Sequence, residues 1–175
     1  FGQTITYLGD VEVTSKVIGY RKKQLYTDQV IDYVPLELPE MKFPTQSVWI
    51  SIPLELAIKL LGRGFDLPGS IHAIEHAAIG ILPLFAMCDR QDIGGVSHPS
   101  HPDTDNLPAV FIYDAHPGGV GISETAYDRL DEVMEATLKA IEDCKCEDGC
   151  PSCVQSPKCG NNNEPLDKNG AAFLL

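Results

Sequence analysis

At 175 residues the chain is long enough for one domain with a real core, burying about two-thirds or more of the surface it exposes when unfolded. With 43% hydrophobic and 22% charged residues it reads as an ordinary soluble globular protein. The net charge of −12 argues against a strong free-standing DNA binder, because phosphate neutralisation by a basic face supplies most of such affinity.

No stretch reads as a signal peptide. Strand-like sequence directly after Phe1 predicts that the chain is a piece of a longer polypeptide. Residues 3–34 read as strands, with Val11, Val13, Val17 and Tyr20 among polar residues and Gly9–Asp10 as a turn signal. This region holds the one dense basic cluster, Arg21, Lys22 and Lys23. Three prolines predict a loop over 35–46, and Ser47–Ile52 is a short strand. Pro53 opens a helix to Leu61 that Gly62 and Gly64 end. Ser70 is the predicted N-cap of a helix from Ile71 to about Cys88, apolar nearly all round and kinked near Pro83. His72, Glu75 and His76 in its first turns exclude a membrane span. Residues 89–108 are predicted as a long loop, and Ala109–Tyr113 as a buried strand. A glycine turn follows. Ser123 then caps a long amphipathic helix with Ala126, Leu130, Val133, Met134, Leu138 and Ile141 inward. The helix-like stretch 122–148 carries nine acids against three bases, a solvated face. The fold class is therefore α+β: a strand-rich N-terminal region over 1–69, then a buried central helix, a strand, a glycine loop, an amphipathic helix and a cysteine loop over 70–175.

Five of the six cysteines fall between Cys144 and Cys159, while Cys88 closes an apolar run. Disulfide frameworks spread their cysteines to staple distant segments, so this clustering points to a reducing, cytoplasmic setting. Zinc takes four tetrahedral ligands, and a Cys-x-x-Cys turn delivers two sulfurs from one tight loop. Cys150 and Cys153 form that turn, with Gly149 and Pro151 suited to it. Cys146 is well spaced for a third ligand, and Cys144 and Cys159 compete for the fourth place. A closed four-thiolate site leaves no open position, so its role would be structural. An iron–sulfur cluster and free or redox thiols are the competing readings.

His72-Ala-Ile-Glu75-His76 matches a metalloprotease pattern, with two histidines on one helix face and a glutamate as general base. His98, His101, His116, Asp89 and Asp114 are candidates for a third ligand. The plainer reading is a structural or DNA-facing polar cluster of His72, Glu75, His76, Asp114, His116, Gly118 and Gly119. The segment from Asp114 to Gly121 suits anion binding at a helix start, but it lacks the Gly-Lys-Ser/Thr ending of a P-loop. A tight turn that brings strand and helix together is favoured.

Together these residues resemble the MrfA-type zinc-binding C-terminal domain of DEAD/DEAH-box superfamily 2 helicases. The resemblance rests on HAIEHAAIGILPLFAMCDRQDIGGVS (72–97), FIYDAHPGGVGISE (111–124), CKCEDGCPSCVQSPKCGNNNEPLDK (144–168) and the closing AAFLL. It is firm from Ser70 onward and looser before. It implies a non-catalytic accessory domain of an ATP-dependent DNA helicase, of a kind associated with 3′–5′ translocation and DNA repair. Such a domain would hold structural zinc, pack on the motor domains of the same polypeptide and help guide DNA, single-stranded in the first instance. The rival reading is a metal-dependent hydrolase using His72, Glu75 and His76; a third is a pure DNA-binding module.

Overall fold

A computed structural model describes residues 4–27 and 29–175. Residues 3 and 28 of the predicted strand region lie outside these. Among the described residues, β1 (Ile5–Ser15), β4 (Met41–Ser51), β6 (Ala109–Asp114) and β5 (Ile93–His98) form one antiparallel sheet in the order β1-β4-β6-β5. Strands from both sides of residue 69 thus share one sheet. A separate hairpin pairs β2 (Gly19–Lys23) with β3 (Val30–Pro35) and exposes Arg21, Lys22 and Lys23. The α+β class is as expected.

β4 sits between β1 and β6, with Val48 opposite Ile112 and Ile50 opposite Val110, all four buried. Trp49, on the alternate face, stacks on Tyr7 and Phe111 at 5.4 and 5.7 Å. The core lies between the buried sheet face and α2 (Leu67–Ile81). Ile71, Ala73, Ile74, Ala77, Ala78 and Ile79 of α2 are buried. Around it pack β5, β6, α5 (Leu130–Asp143) and α6 (Lys168–Leu174), with α1 (Leu54–Gly62) beside α6. A helix surrounded on all sides needs no polar face. The stretch Leu67–Ala86 is long and apolar enough to cross a membrane by composition, but 67% of it is buried inside the domain.

Several local expectations are corrected. Gly9–Asp10 is not a turn: Gly9 lies within β1, where a Cβ would come 3.3 Å from the Trp49 ring. The predicted 35–46 loop becomes strand from Met41. Pro44 is tolerated there because β6 pairs with β4 only from Ser47 onward. α2 begins at Leu67, capped by the Asp66 carboxylate accepting from the Gly69 N–H; Ser70 is one turn inside and donates to the Asp66 carbonyl. That helix stops at Ile81, and Pro83 starts a separate short helix, α3 (Pro83–Ala86), leaving Cys88 beyond both.

Residues 93–98 of the predicted loop are strand β5. Its glycines conceal it in sequence but are required in space: a Cβ on Gly94 would strike the Tyr113 ring, and one on Gly95 would strike Ile79 and Glu75. The long amphipathic helix is two helices, α4 (Ile122–Asp128) and α5, divided at Arg129 because α4 packs on β4 and β1 while α5 packs on α2. Ala126, Val133, Met134 and Ile141 are buried as expected, and Leu130 and Leu138 are half-buried. Ser123 does not cap α4; Gly121, at φ 86°, precedes it.

Candidate metal centre

α5 ends at Asp143, and the chain turns straight into the cysteine loop. The Cys153 N–H donates to the Cys150 carbonyl at 3.0 Å, and the Cys150 N–H donates to the Cys153 sulfur at 3.3 Å, which closes the Cys-x-x-Cys turn. Gly149, at φ 113°, brings the backbone against Val154, which is fully buried. The sulfurs of Cys144, Cys146, Cys150 and Cys153 converge. Separations are 3.5 Å for Cys144–Cys146 and Cys144–Cys150, 3.4 Å for Cys146–Cys153 and 3.8 Å for Cys150–Cys153. Four sulfurs at about 2.3 Å from a tetrahedral zinc lie about 3.8 Å apart, so the donor set fits that ion closely.

Four thiols this close cannot all ionise without a cation between them. Burial disfavours charge on Cys146, yet hydrogen bonds from Cys153, Cys144, Cys150 and Lys168 hold its thiol down at about 7. Burial pushes Cys153 up to about 12. The Lys168 ammonium, on α6, donates to the Cys144 and Cys146 carbonyls at 2.5 and 2.6 Å and reaches the Cys146 sulfur at 3.5 Å. It is itself buried. Lys168 closes the resemblance segment 144–168, but no spacing marks it as a partner of the cysteines; only the return of α6 to the cysteine loop brings it there.

Cys159 is not in this group. It stands beside the histidine helix, its sulfur 3.5 Å from His72 Nε2. A ring nitrogen from His72, one from His76 and the Cys159 sulfur all lie within 4.8 Å of one another. The three line a cavity of about 510 Å³ together with Glu75, Tyr113 and Lys158. Glu75 lies between His72 and Ser97 of β5; burial pushes its carboxyl up, against hydrogen bonds from Ser97 and the charge of His72, which lower it. Burial also pushes the His76 imidazole down to about 4. His98 and His101 pack at tilted angles beside Phe111 instead, with the His101 ring 4.9 Å from it. Asp89 caps the turn over Arg90–Asp92, and His116 Nε2 bonds Asp92 at 2.8 Å.

The glycine loop turns inward. The Asp114 carboxylate, fully buried, accepts from the backbone N–H groups of Val120, Ile122 and Ser123 and from the Ser123 hydroxyl. Burial alone would raise this carboxyl, but those hydrogen bonds together hold it below the usual carboxylate range. The Gly118 N–H donates to Pro44 and the Gly119 N–H to His116. These loop donors, which could have faced a phosphate, are taken by the protein itself.

The MrfA Zn-binding domain family matches residues 74–154, a span that includes the histidine helix from Ile74 and all four clustered cysteines. The protein MJ1572.1 of Methanocaldococcus jannaschii is 40% identical over 109 residues, which cover 96% of its length and 60% of this chain. The chain belongs to the MrfA Zn-binding domain family. Its four-cysteine loop is in position to hold the zinc that the family is named for. The ATP-dependent helicase YprA of Bacillus subtilis is 34% identical over 87% of this chain. The DUF1998 helicase MrfA, solved bound to DNA, matches 94% of the chain at 30% identity with a TM-score of 0.62. This MrfA-type chain spans 20% of YprA and 22% of the solved MrfA chain, about a fifth of each.

Proposed function

We propose that this chain is the zinc-stabilised, non-catalytic accessory module of an ATP-dependent DNA helicase that acts in DNA repair with 3′–5′ polarity. In this reading it packs on the motor domains of the same polypeptide and helps guide single-stranded DNA. Cys144, Cys146, Cys150 and Cys153 hold one zinc ion, which supplies cross-linking and leaves no position open for water. The observation that supports it most is the closed four-sulfur loop tied by Lys168 to α6, in a chain that matches about a fifth of helicase-length relatives. The thiolates suit a reducing, cytoplasmic compartment. The hydrolase reading is not favoured, because the family that matches the chain is one of zinc binding and the relatives that match most of it are helicases.

The test places Cys146→Ser in a polypeptide that joins this chain to its helicase motor. Retained ATP hydrolysis with reduced unwinding is expected. Unwinding unchanged while zinc is lost would reject the accessory role.

A further inference from the structure

His72 and His76 each direct Nδ1 at a backbone carbonyl. His72 Nδ1 lies 2.8 Å from the Pro165 carbonyl and His76 Nδ1 lies 2.9 Å from the Val154 carbonyl. A carbonyl oxygen only accepts, so each Nδ1 carries a proton, and in the neutral imidazole Nε2 is then the lone pair that can bind a metal. This is the arrangement by which outer hydrogen bonds orient metal-binding imidazoles. The rings sit one helical turn apart, with centroids 4.3 Å from each other. Cys159 completes the set from the loop after the cysteine cluster, where the Asn163 N–H donates to its sulfur at 3.3 Å. Around a tetrahedral zinc, an imidazole nitrogen and a thiolate sulfur lie about 3.6 Å apart, and the His72 Nε2 to Cys159 distance is 3.5 Å.

We propose that His72, His76 and Cys159 form a second metal site, separate from the four-cysteine loop, that takes a divalent ion of the zinc class. Two neutral imidazoles and one thiolate supply three ligands, and the fourth position faces the cavity, where water or an outside donor can occupy it. Glu75 is not a ligand: it is absent from the group whose donor atoms converge. The ion would clip α2 to the segment 159–165, which reaches back over the helix through both Cys159 and Pro165. The site stands independently of the four-cysteine reading.

The purified 175-residue chain, saturated with zinc and desalted, should hold about two zinc ions. Cys159→Ser, His72→Asn and His76→Asn should each reduce this to about one. Asparagine keeps a side-chain N–H near the Nδ1 position for Pro165 or Val154 and removes the Nε2 ligand. Folding of each variant is followed by circular dichroism. Cobalt reconstitution of the unmutated chain should add a mixed nitrogen–sulfur chromophore to the tetrathiolate one. A chain that takes up one ion with a purely sulfur shell overturns the proposal, as does a second ion that persists in all folded variants. One ion with a mixed shell upholds it and instead removes the four-cysteine reading. If a variant fails to fold, the cobalt spectrum of the unmutated chain decides.

Discussion

The two sulfur-bearing clusters of this protein are built over very different lengths of chain. Cys144, Cys146, Cys150 and Cys153 come from a single short loop, whereas Cys159 meets His72 across 87 residues. A local cluster can gather its donors through turn chemistry alone. A distant one exists only when α2 and the C-terminal segment are already docked. The local site should therefore govern the stability of its surroundings, while the distant site should depend on the fold and report on it.

Replacing Cys150 and Cys153 by serine is expected to have the largest effect. Structural zinc sites contribute on the order of 10 kcal/mol, so the double variant should lose its loop zinc and the cooperative melting of the C-terminal region. His76 is anchored on Val154, next to Cys153, so the histidine cluster should loosen with it. Unchanged melting with zinc removed would erase the contrast between the clusters. Next comes Lys168→Met, which strips the ammonium from two loop carbonyls. We expect zinc affinity to fall about 10- to 100-fold in chelator competition, with about 2 kcal/mol of stability lost.

Asp114→Asn lies outside both clusters and should cost about 2 kcal/mol through the four donors the carboxylate now satisfies. Metal content should not change. The folded carboxyl titrates below its unfolded value of about 3.9. Its contribution is therefore complete above that pH and is lost as the pH falls through the folded value. The variant should flatten this acid limb in pH-dependent denaturant melts. The smallest effect is expected from joint replacement of Arg21, Lys22 and Lys23 by alanine. These are exposed on the β2–β3 hairpin, so stability should stay within about 0.5 kcal/mol. If the hairpin touches DNA in the helicase, single-strand affinity and its salt dependence should both decline.

Legibility in the sequence follows the same division. The Cys-x-x-Cys turn, the apolar run of α2 and the buried strand AVFIY were readable because each is a local pattern with its own period or spacing. Strand β5 was not, because Gly94 and Gly95 look like loop residues until Tyr113, Ile79 and Glu75 are placed against them. The break at Arg129 was hidden for a related reason: α4 and α5 keep one helical periodicity but dock on different partners. Pro44 reads as a strand breaker, and only the missing neighbour on one edge of β4 makes it acceptable.

The sequence by itself determined the α+β class, the central helix and the presence of a thiolate-rich loop, since composition and short spacings dictate all three. It left Cys144 and Cys159 as equals. Tertiary structure separated them, because the position of a sulfur depends on where its backbone docks rather than on its distance along the chain: the turn after α5 carries Cys144 to its three neighbours, and the return across α2 carries Cys159 to the histidines. The same docking placed Lys168 beneath the cysteine loop and turned the glycine-loop N–H groups inward onto Asp114. Buried polar groups must find partners within the fold, and those partners lie far away in sequence.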